Sequence, residues 1–456
     1  MTQASQCSFV LDRYPYNRPR LGRPATGCQF NEPSERLIDF EGKARCMYHA
    51  PRPAKDAWDA ATHAIFDAGI ATVLQKASLT QTLADLSGVV FPGPVTIGAE
   101  DRPIIHLPGV LFLKCTFSAK VTLANVVFDD LVMFDESEFS DSLHFFGVTF
   151  RSDAHFDAAT FTRNTLWFAT FERNAYFQGA RFPGDFSCHA HFAGRAWFQQ
   201  TDFQSYTRFD DSVFIGDADF SCWPITGSSE HLGFAYVSFA NCKFNEHVSF
   251  ANRVFRNHTD FSKTLFRVAP EFYGSVLHQD TNFNGARFRD TGRARRRVIF
   301  GVHPTDVDAA RAYRTLKLAM EDVRNLDDEA RFFALEQRAL LWSRQASWSV
   351  KLVSIVYGLL GDYGRNIHRP LVLFLLSSYG AFLLYSHLLQ TQCDDRVCRE
   401  RMLRLTLTAM LQPFSLVERS DLTPAVLMVA FTQAMINVIL LTLFVVAIRR
   451  RFRLAE

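Results

Sequence analysis

Three cysteines and one histidine near the amino end have the side chains best suited to chemistry in this sequence. Cys7, Cys28, Cys46 and His49 offer thiolate and imidazole donors, and the last two are spaced as Cys-x-x-His. Three thiolates and one imidazole complete the tetrahedral shell that structural zinc takes, and an arm without an evident apolar core would gain stability from such an ion. The sequence therefore predicts a structural zinc site. The alternative is three unrelated thiols in a cytosolic arm.

Two further cysteines, Cys393 and Cys398, are separated by four residues and lie between two apolar segments. In an oxidising compartment they could form a disulfide, whereas in a reducing compartment they would stay free thiols. Both alternatives stay open on the sequence.

The second apolar segment contains polar side chains that call for a partner. Gln433 and Asn437 are four residues apart, so they share a helix face, and Thr432 lies beside them. Unsatisfied polar groups in hydrocarbon are costly, so we expect this face to meet another helix or water. The two interpretations are helix packing and the lining of a pore.

No catalytic arrangement of residues emerges from the sequence. We find no phosphate-binding glycine loop and no Ser/His/Asp order with local context, and we expect the central histidines, such as His155, at outward repeat positions. The net charge is +2, and residues 112–288 contain 20 acidic and 14 basic side chains. We therefore expect neither an enzyme nor a nucleic-acid-binding protein.

Phenylalanine recurs every eleven residues through the middle of the chain, in two interleaved series. A small residue usually stands two positions earlier, as Ala154 does before Phe156, and this spacing puts both side chains on one face of a strand. Such periodicity is typical of a solenoid, whose units bury their apolar faces by stacking. We expect the phenylalanines to form one stacked column, with Cys115 and Cys242 as small core residues. The clearest series is Phe239, Phe250, Phe261, Phe272 and Phe283, alternating with Phe244, Phe255, Phe266 and Phe288.

The runs DAATF (157–161), RNAYF (173–177) and QGARF (178–182) resemble the pentapeptide-repeat family. The resemblance implies a right-handed, four-sided parallel β-helix over residues 112–288. Alternate units carry one extra residue, so we expect longer coils or a bulge at a corner. The insertion from Trp223 to Gly227 interrupts the repeat and is expected to form a loop.

The remaining chain divides into regions of different pattern. We assign residues 1–55 to the Cys/His arm, 56–111 to a helical lead-in and solenoid cap, and 289–368 to a basic, helical juxtamembrane connector. Within the connector, FFALEQRAL (332–340) and GDYGRNIHRPL (361–371) are similar to elements of pentapeptide-repeat membrane proteins. The apolar stretch from Trp348 to Leu360 predicts an interfacial helix on the cytoplasmic leaflet.

Residues 369–456 predict a two-pass membrane module. Pro370 to Leu389 and Pro424 to Ile448 are each long and apolar enough to cross a bilayer. Arginines flank both segments, so the positive-inside rule predicts a protein of the inner (plasma) membrane with both termini in the cytoplasm. Between them, Met402 to Leu411 predicts a re-entrant helix or a surface amphipathic helix.

This order of helices resembles the pore module of two-pass potassium-channel-like proteins, in which four subunits surround one path. No glycine follows Gly380, so a potassium filter is absent from the sequence. We therefore expect first a membrane-anchored cytoplasmic scaffold or sensor whose β-helix binds a protein partner. The alternatives are an oligomeric, tetrameric channel-like protein gated by the solenoid, and a DNA-mimicking solenoid that binds topoisomerase.

Overall fold

The computed structural model describes residues 7–11, 28–30, 36–224, 232–289, 306–342, 347–389, 395–411 and 423–451. The chain divides into a unit that ends at Arg295 and a unit that begins at Arg296, and each is described by itself. The mixed fold expected from the sequence is confirmed. A parallel β-solenoid of about nine turns precedes a helical region with two long apolar helices.

A hairpin and a helix precede the solenoid. Strands Ile38–Phe40 and Lys43–Arg45 pair antiparallel. Glu41 and Gly42 between them have φ values of 51° and 77°, which is the conformation of a type I′ turn. After a 3-10 turn at Arg52–Ala54, helix α1 spans Ala60–Thr80 and starts at Asp59, whose carboxylate accepts the Thr62 N–H at 2.8 Å.

Short parallel strands form the solenoid. One sheet, called the eight-stranded sheet below, pairs each strand with a strand of the next turn: Ala84–Asp85, Val110–Leu111, Val132–Met133, Ala154–His155, Ala175–Tyr176, Ala196–Trp197, Ala218–Asp219 and Val248–Ser249. The other described strands form a second, continuous ladder: Val90–Phe91, Val95–Ile97, Ile105–Leu107, Thr116–Phe117, Val121–Ala124, Val126–Phe128, Glu138–Phe139, Leu143–Phe150, Thr160–Phe161, Thr165–Phe171, Arg181–Phe182, Phe186–Phe192, Asp202–Arg208, Val213–Phe214, Gly233–Ser238, Lys243–Phe244, Val254–Phe255, Thr259–Asp260, Leu265–Phe266, Thr281–Asn282 and Arg287–Phe288.

The register explains the eleven-residue period. Val132 pairs with Ala154, and Ala154 pairs with Ala175, so successive turns contain 22 and 21 residues. Eleven residues are therefore about half a turn, and consecutive members of one series lie on opposite sides of the solenoid. The expectation that the extra residue in alternate units lengthens each coil is confirmed.

The inward aromatic side chains stack from turn to turn in four columns. In one of them, ring centroids are 4.6 Å apart between Phe117 and Phe139 and 5.0 Å apart between Phe139 and Phe161. The expected single column was wrong, because Phe250 stacks between Phe220 and Phe272, whereas Phe261 stacks between Phe239 and Phe283. Offset stacking at these distances adds to the free energy of burying each ring.

Two corners of the turn recur with the same backbone, one after the column of Phe134 and one after the column of Phe239. A residue with positive φ, such as Glu136 (56°) or Asn241 (58°), precedes a small buried residue. The hydroxyl or thiol of that small residue donates to a carbonyl oxygen of an adjacent turn. Examples are Ser137 Oγ to Phe112, Thr264 Oγ1 to Phe239 at 2.7 Å, Cys242 Sγ to Phe209 at 2.8 Å and Cys115 Sγ to Leu86 at 3.0 Å. The prediction that Cys115 and Cys242 are core residues is confirmed.

The insertion lengthens one turn. Ala218 pairs with Val248, so 30 residues separate positions that are 21 or 22 residues apart in the turns between Val110 and Ala218. The side chain of Trp223, at the start of the insertion, is 73% exposed. The rest of the predicted loop, Ile225 to Gly227, lies outside the described residues.

Six helices make up the described part of the second unit. They are α2 (Asp306–Asp322), α3 (Leu326–Trp342), α4 (Trp348–Gly361), α5 (His368–Leu389), α6 (Asp395–Leu411) and α7 (Pro424–Arg451). Helices α2 and α3 pack together and bury Tyr313, Leu316 and Phe332. The Glu336 carboxylate, also buried, lies 2.7 Å from Arg314 Nε and 3.4 Å from Lys317 Nζ.

A tight corner separates α4 from α5. Asp362, Tyr363 and Gly364 all have positive φ, at 47°, 56° and 81°. The Asp362 carboxylate lies 2.7 Å from Arg338 Nη2, and the Tyr363 ring is buried. These contacts hold a left-handed conformation that non-glycine residues rarely adopt.

Helices α5 and α7 are each long and apolar enough to cross a membrane. They pack with α6 around a cluster that includes Tyr385, Leu405 and Ala430. The helix predicted at Met402 to Leu411 is longer than expected and starts at Asp395, because the polar residues before Met402 continue the same helix.

Candidate functional site

The four predicted zinc ligands come together in the first unit. All four donor atoms lie within 4.8 Å of one another. Cys46 Sγ lies 3.1 Å from His49 Nδ1 and 3.6 Å from Cys28 Sγ, and Cys7 Sγ lies 3.6 Å from His49 Nδ1. Cys46 and His49 are buried, while Cys7 and Cys28 are half-buried.

Local structure positions the ligand pair in the Cys-x-x-His segment. Cys46 follows directly after the hairpin strand Lys43–Arg45, and its carbonyl accepts the N–H of His49 at 3.1 Å and of Ala50 at 2.9 Å. This turn brings the side chains of Cys46 and His49 to one side. The backbone N–H of Cys46 also donates to Cys7 Sγ at 3.2 Å, which holds the segment of residues 7–11 beside the turn.

Aromatic rings enclose the imidazole. The Phe9 ring stacks on His49 with centroids 3.9 Å apart, and Phe30 meets its edge at 5.8 Å. A Cβ at Gly88, which has φ of +73°, would lie 2.0 Å from the Phe9 ring, so glycine is required there for two reasons. The rings shield the cluster from water on this side.

The environment sets the imidazole tautomer and the thiol charges. His49 Nε2 lies 3.0 Å from the Ser87 carbonyl oxygen, so Nε2 carries the proton and donates it. Nδ1 then keeps the lone pair with which a histidine ligates a metal. Hydrogen bonds from the thiols of Cys28 and Cys46 hold the pKa of Cys7 far below its usual value. The contact with Cys28 raises the pKa of the Cys46 thiol. A divalent cation would relieve this competition among three sulfurs, because each ligates as a thiolate.

The arm that carries the cluster also covers the first turn of the solenoid. The Val90 N–H donates to the Tyr48 carbonyl at 3.0 Å, and Gln29 Nε2 donates to the Asp85 carbonyl at 2.7 Å. Leu11 packs into an apolar cluster with Leu111 and Met133. The Cys/His cluster therefore lies at the end of the solenoid, where the first strands would otherwise have unpaired edges.

The residues present fit a structural metal rather than a catalytic one. Four protein ligands of the Cys₃His type fill a tetrahedral shell and leave no open position for a substrate or water. The Ser87 carbonyl supplies the outer contact that orients a ligating histidine.

A second group of metal-ligand side chains lies on the eight-stranded sheet. Donor atoms of Asp135, His155 and Asp157 are within 4.8 Å of one another, and all three residues are buried. The Asp135 carboxylate accepts the Asp157 N–H at 3.0 Å, and the Asp157 carboxylate accepts the Gln178 N–H at 2.9 Å. These bonds link successive turns, which assigns the two carboxylates a structural role. His155 pairs with Tyr176 and so stands on the outer face of the sheet, as expected, but it is only 1% exposed, and the Tyr176 ring stacks on it with centroids 4.2 Å apart.

The amides of α7 find partners within the same chain. Gln433 Oε1 accepts the Tyr385 hydroxyl at 2.9 Å, and Asn437 Oδ1 accepts the Ser377 hydroxyl at 2.7 Å. Asn437 Nδ2 donates to Ser378 Oγ at 3.2 Å. The structure brings Gln433 and Asn437 together in a buried contact with α5.

Thr432 and the cysteine pair are placed differently from the amides. The Thr432 side chain is exposed and donates to the Met428 carbonyl of its own helix at 2.8 Å, so it does not join Gln433 and Asn437. Cys393 and the side chain of Cys398 lie outside the described residues, so the disulfide and the free thiols both stay open.

The most unusual polar residue of the solenoid was not predicted. Arg253 is 0% exposed and follows Asn252 at the corner where other turns carry Ser, Thr, Cys or Ala. Its guanidinium donates to the carbonyls of Phe220, Thr201 (2.6 Å) and Phe198 (2.9 Å). Burial lowers the pKa of this arginine. The sequence did contain a signal for this site, because Arg253 stands at a repeat position where other turns carry a small residue.

No family profile, curated protein or solved structure matches the chain.

Proposed function

We propose that this protein is a membrane-anchored, non-enzymatic scaffold whose β-solenoid presents a protein-binding surface in the cytoplasm, and that it is a pentapeptide-repeat membrane protein. The observation that carries the proposal is the combination, in one chain, of a rigid ladder of about nine turns with two long apolar helices. A repeat of this kind offers a long, patterned surface of outward side chains to a partner.

Exposed apolar side chains of the second unit support membrane attachment. Leu376 of α5 and Met428 of α7 are 59% and 74% exposed. Helix α4 also exposes Trp348 (76%), Val353 (69%) and Leu359 (69%). An apolar surface of this extent suits lipid, with α4 in the interface and α5 and α7 across the bilayer.

We propose structural zinc as the ion held by Cys7, Cys28, Cys46 and His49. In this proposal the ion fastens the arm over the first turn of the solenoid. The fit of the donor set and the Ser87 contact support zinc over harder cations, which prefer oxygen ligands.

The channel-like interpretation ranks second. Gln433 and Asn437 are bonded to α5 of the same chain, and this supports helix packing more than a water-filled path between subunits. A DNA-mimicking solenoid ranks third, because basic residues are interspersed with the acidic ones over residues 112–288.

Membrane attachment and orientation can be tested with Cys393 and Cys398, which stand between α5 and α7 in the sequence. In intact bacterial cells, after mild reduction, we expect a membrane-impermeant maleimide to label the full chain at Cys393 and Cys398. A Cys393→Ser, Cys398→Ser variant should lose this labelling, and carbonate washing should leave both proteins in the membrane. Release by carbonate, or equal labelling of both proteins, would contradict the proposed topology.

The scaffold role itself is tested by crosslinking in the membrane. Lys243 and Lys263 lie on the solenoid, and Lys243 is exposed. We expect lysine-reactive crosslinks from this region to one recurrent cytosolic protein, and only crosslinks within the chain would argue against a scaffold.

A further inference from the structure

Three departures from the repeat coincide at one place on the solenoid. The turn after Ala218–Asp219 is lengthened, because Ala218 pairs with Val248. Arg253 occupies the interior beside that turn. A cleft of about 490 Å³ opens on the outer side of the eight-stranded sheet at the same level. Sites that break a local rule in an otherwise regular sequence are where function is expected.

One aromatic side chain, Trp197, lines the cleft. Trp197 is half-buried and stands in the outward row of the sheet, between Tyr176 and Asp219 of the neighbouring turns. The rings of Tyr176 and Trp197 are tilted by 58°, with centroids 5.4 Å apart. An indole fixed in this way offers its π system to a ligand.

Carboxylates surround the indole. Asp217, Asp219 and Glu271 line the cleft together with Trp197 and one arginine, Arg195. Asp219 is oriented by Gln199 Nε2 at 2.5 Å and by the Ser221 N–H at 2.9 Å. The cleft therefore has an excess of negative charge on preoriented oxygens.

Two of these carboxylates remain open to solvent. Asp217 lies 3.4 Å from Arg195 Nε and its side chain is 46% exposed. Glu271 lies 3.7 Å from His247 Nε2 and its side chain is 45% exposed. Both contacts are long and lie at the surface, where an ion pair is weak. An incoming cation can therefore take the place of Arg195 beside Asp217 and of His247 beside Glu271.

We infer that this cleft binds a cationic side chain, arginine or lysine, from a basic segment of a partner protein. The indole face attracts the cation, and the carboxylates of Asp219 and Glu271 accept its N–H groups. Phosphates would be repelled by the same carboxylates, which disfavours nucleic acid. The inference rests on the proposed scaffold function and names the chemistry of its partner.

The test measures binding of a fluorescein-labelled, arginine-rich peptide to the full chain in detergent micelles by fluorescence anisotropy. We expect Trp197→Leu and Glu271→Gln each to weaken binding by roughly three- to tenfold. The matched control is Glu172→Gln, which removes one exposed carboxylate elsewhere on the solenoid and should leave the affinity unchanged. A glutamate-rich peptide should not bind.

If Glu172→Gln weakens binding as much as the cleft variants do, the attraction is non-specific and the inference is overturned. Unchanged binding in both Trp197→Leu and Glu271→Gln would also overturn it. Displacement of the peptide by millimolar Ca²⁺ at constant ionic strength, without such loss by Mg²⁺, would indicate a cation site and also overturn it. Glu271→Gln is isosteric and exposed, so folding does not confound the result. If the peptide fails to bind while the maleimide and crosslinking tests succeed, the scaffold stands and uses another surface.

Discussion

The solenoid and the apolar helices both bury polar groups in apolar surroundings, but they satisfy those groups in different ways. In the solenoid, corner hydroxyls and thiols of several turns each bond a carbonyl of an adjacent turn, as Thr264 does for Phe239. In the helices, single side-chain pairs such as Tyr385 with Gln433 perform this task. The solenoid therefore satisfies its buried polar groups through many equivalent hydrogen bonds, whereas the helices rely on a few.

This difference makes the irregular positions of the solenoid its most sensitive ones. A regular turn of the solenoid packs between two equivalent turns. The first turn packs against only one other turn and depends on the arm for its remaining contacts. Substitutions at the metal-binding arm and beside the lengthened turn should therefore differ in effect from substitutions in the regular turns and at the helix contacts.

Metal removal has the largest expected effect. Purified protein that has not met a chelator should contain about one zinc per chain, and Cys46→Ser should contain almost none, since structural zinc binding is worth on the order of 10–16 kcal/mol in small peptides. Cys115→Ser is the matched control, because it changes a buried thiol that bonds Leu86 and is not part of the cluster. Elemental analysis and thermal unfolding measure both. Less than about half an equivalent of zinc in the unaltered protein would refute the site.

A cavity in an aromatic column ranks next. Phe250→Ala removes a fully buried ring between Phe220 and Phe272, and we expect a loss of about 3–5 kcal/mol in the free energy of unfolding. Lys243→Ala changes an exposed strand residue of a nearby turn and should stay within about 0.5 kcal/mol. Chemical denaturation of the full chain measures both. Equal stability of the two variants would contradict the stacked core.

Replacing the buried arginine should lower the free energy of unfolding by less than Phe250→Ala does, but by more than a substitution at a regular corner. Arg253→Met keeps most of the side-chain volume but leaves the carbonyls of Phe198, Thr201 and Phe220 without this donor, for about 2–4 kcal/mol. Thr264→Ala removes one such donor at a regular corner and should cost about 1 kcal/mol. If Arg253→Met is as mild as Thr264→Ala, the lengthened turn is no more sensitive than a regular one.

The helix contacts give the smallest effect. Asn437→Leu removes the bonds to Ser377 and Ser378, and we expect a loss of about 1 kcal/mol in detergent, since such contacts average less than 2 kcal/mol. Thr432→Val alters an exposed side chain of the same helix and should be neutral. The mass of the detergent-solubilised protein should not change in either variant. A change of oligomeric state in Asn437→Leu would instead favour amides that act between subunits.

Periodicity was enough to predict the solenoid, because stacking requires chemically equivalent residues at a constant interval. It was not enough to show that eleven residues are half a turn, since sequence spacing does not distinguish opposite sides of a coil from successive turns. Asn252 illustrates the same limit. It looks like a tolerant polar position, but its φ is 58° and its amide bonds the Cys222 carbonyl.

The metal cluster was predictable from ligand type rather than from spacing. The separations among Cys7, Cys28 and Cys46 match no fixed motif, and their approach depends on a hairpin and on contacts with Ser87 that only the fold provides. Thr432 was grouped with Gln433 by proximity in sequence. Adjacent helical residues point about 100° apart, so neighbours along the chain do not share a face.

The turn-to-turn pairing of the solenoid also bears on how the chain reaches its native state. Each strand pairs with strands one turn away, such as Val132 with Ala154, so the loops closed during folding are short. The arm with Cys46 and His49 leaves the ribosome before the turns that follow it. Folding can therefore begin at the metal-binding end and proceed by adding one turn at a time during synthesis. The order of translation and the order of assembly would then coincide.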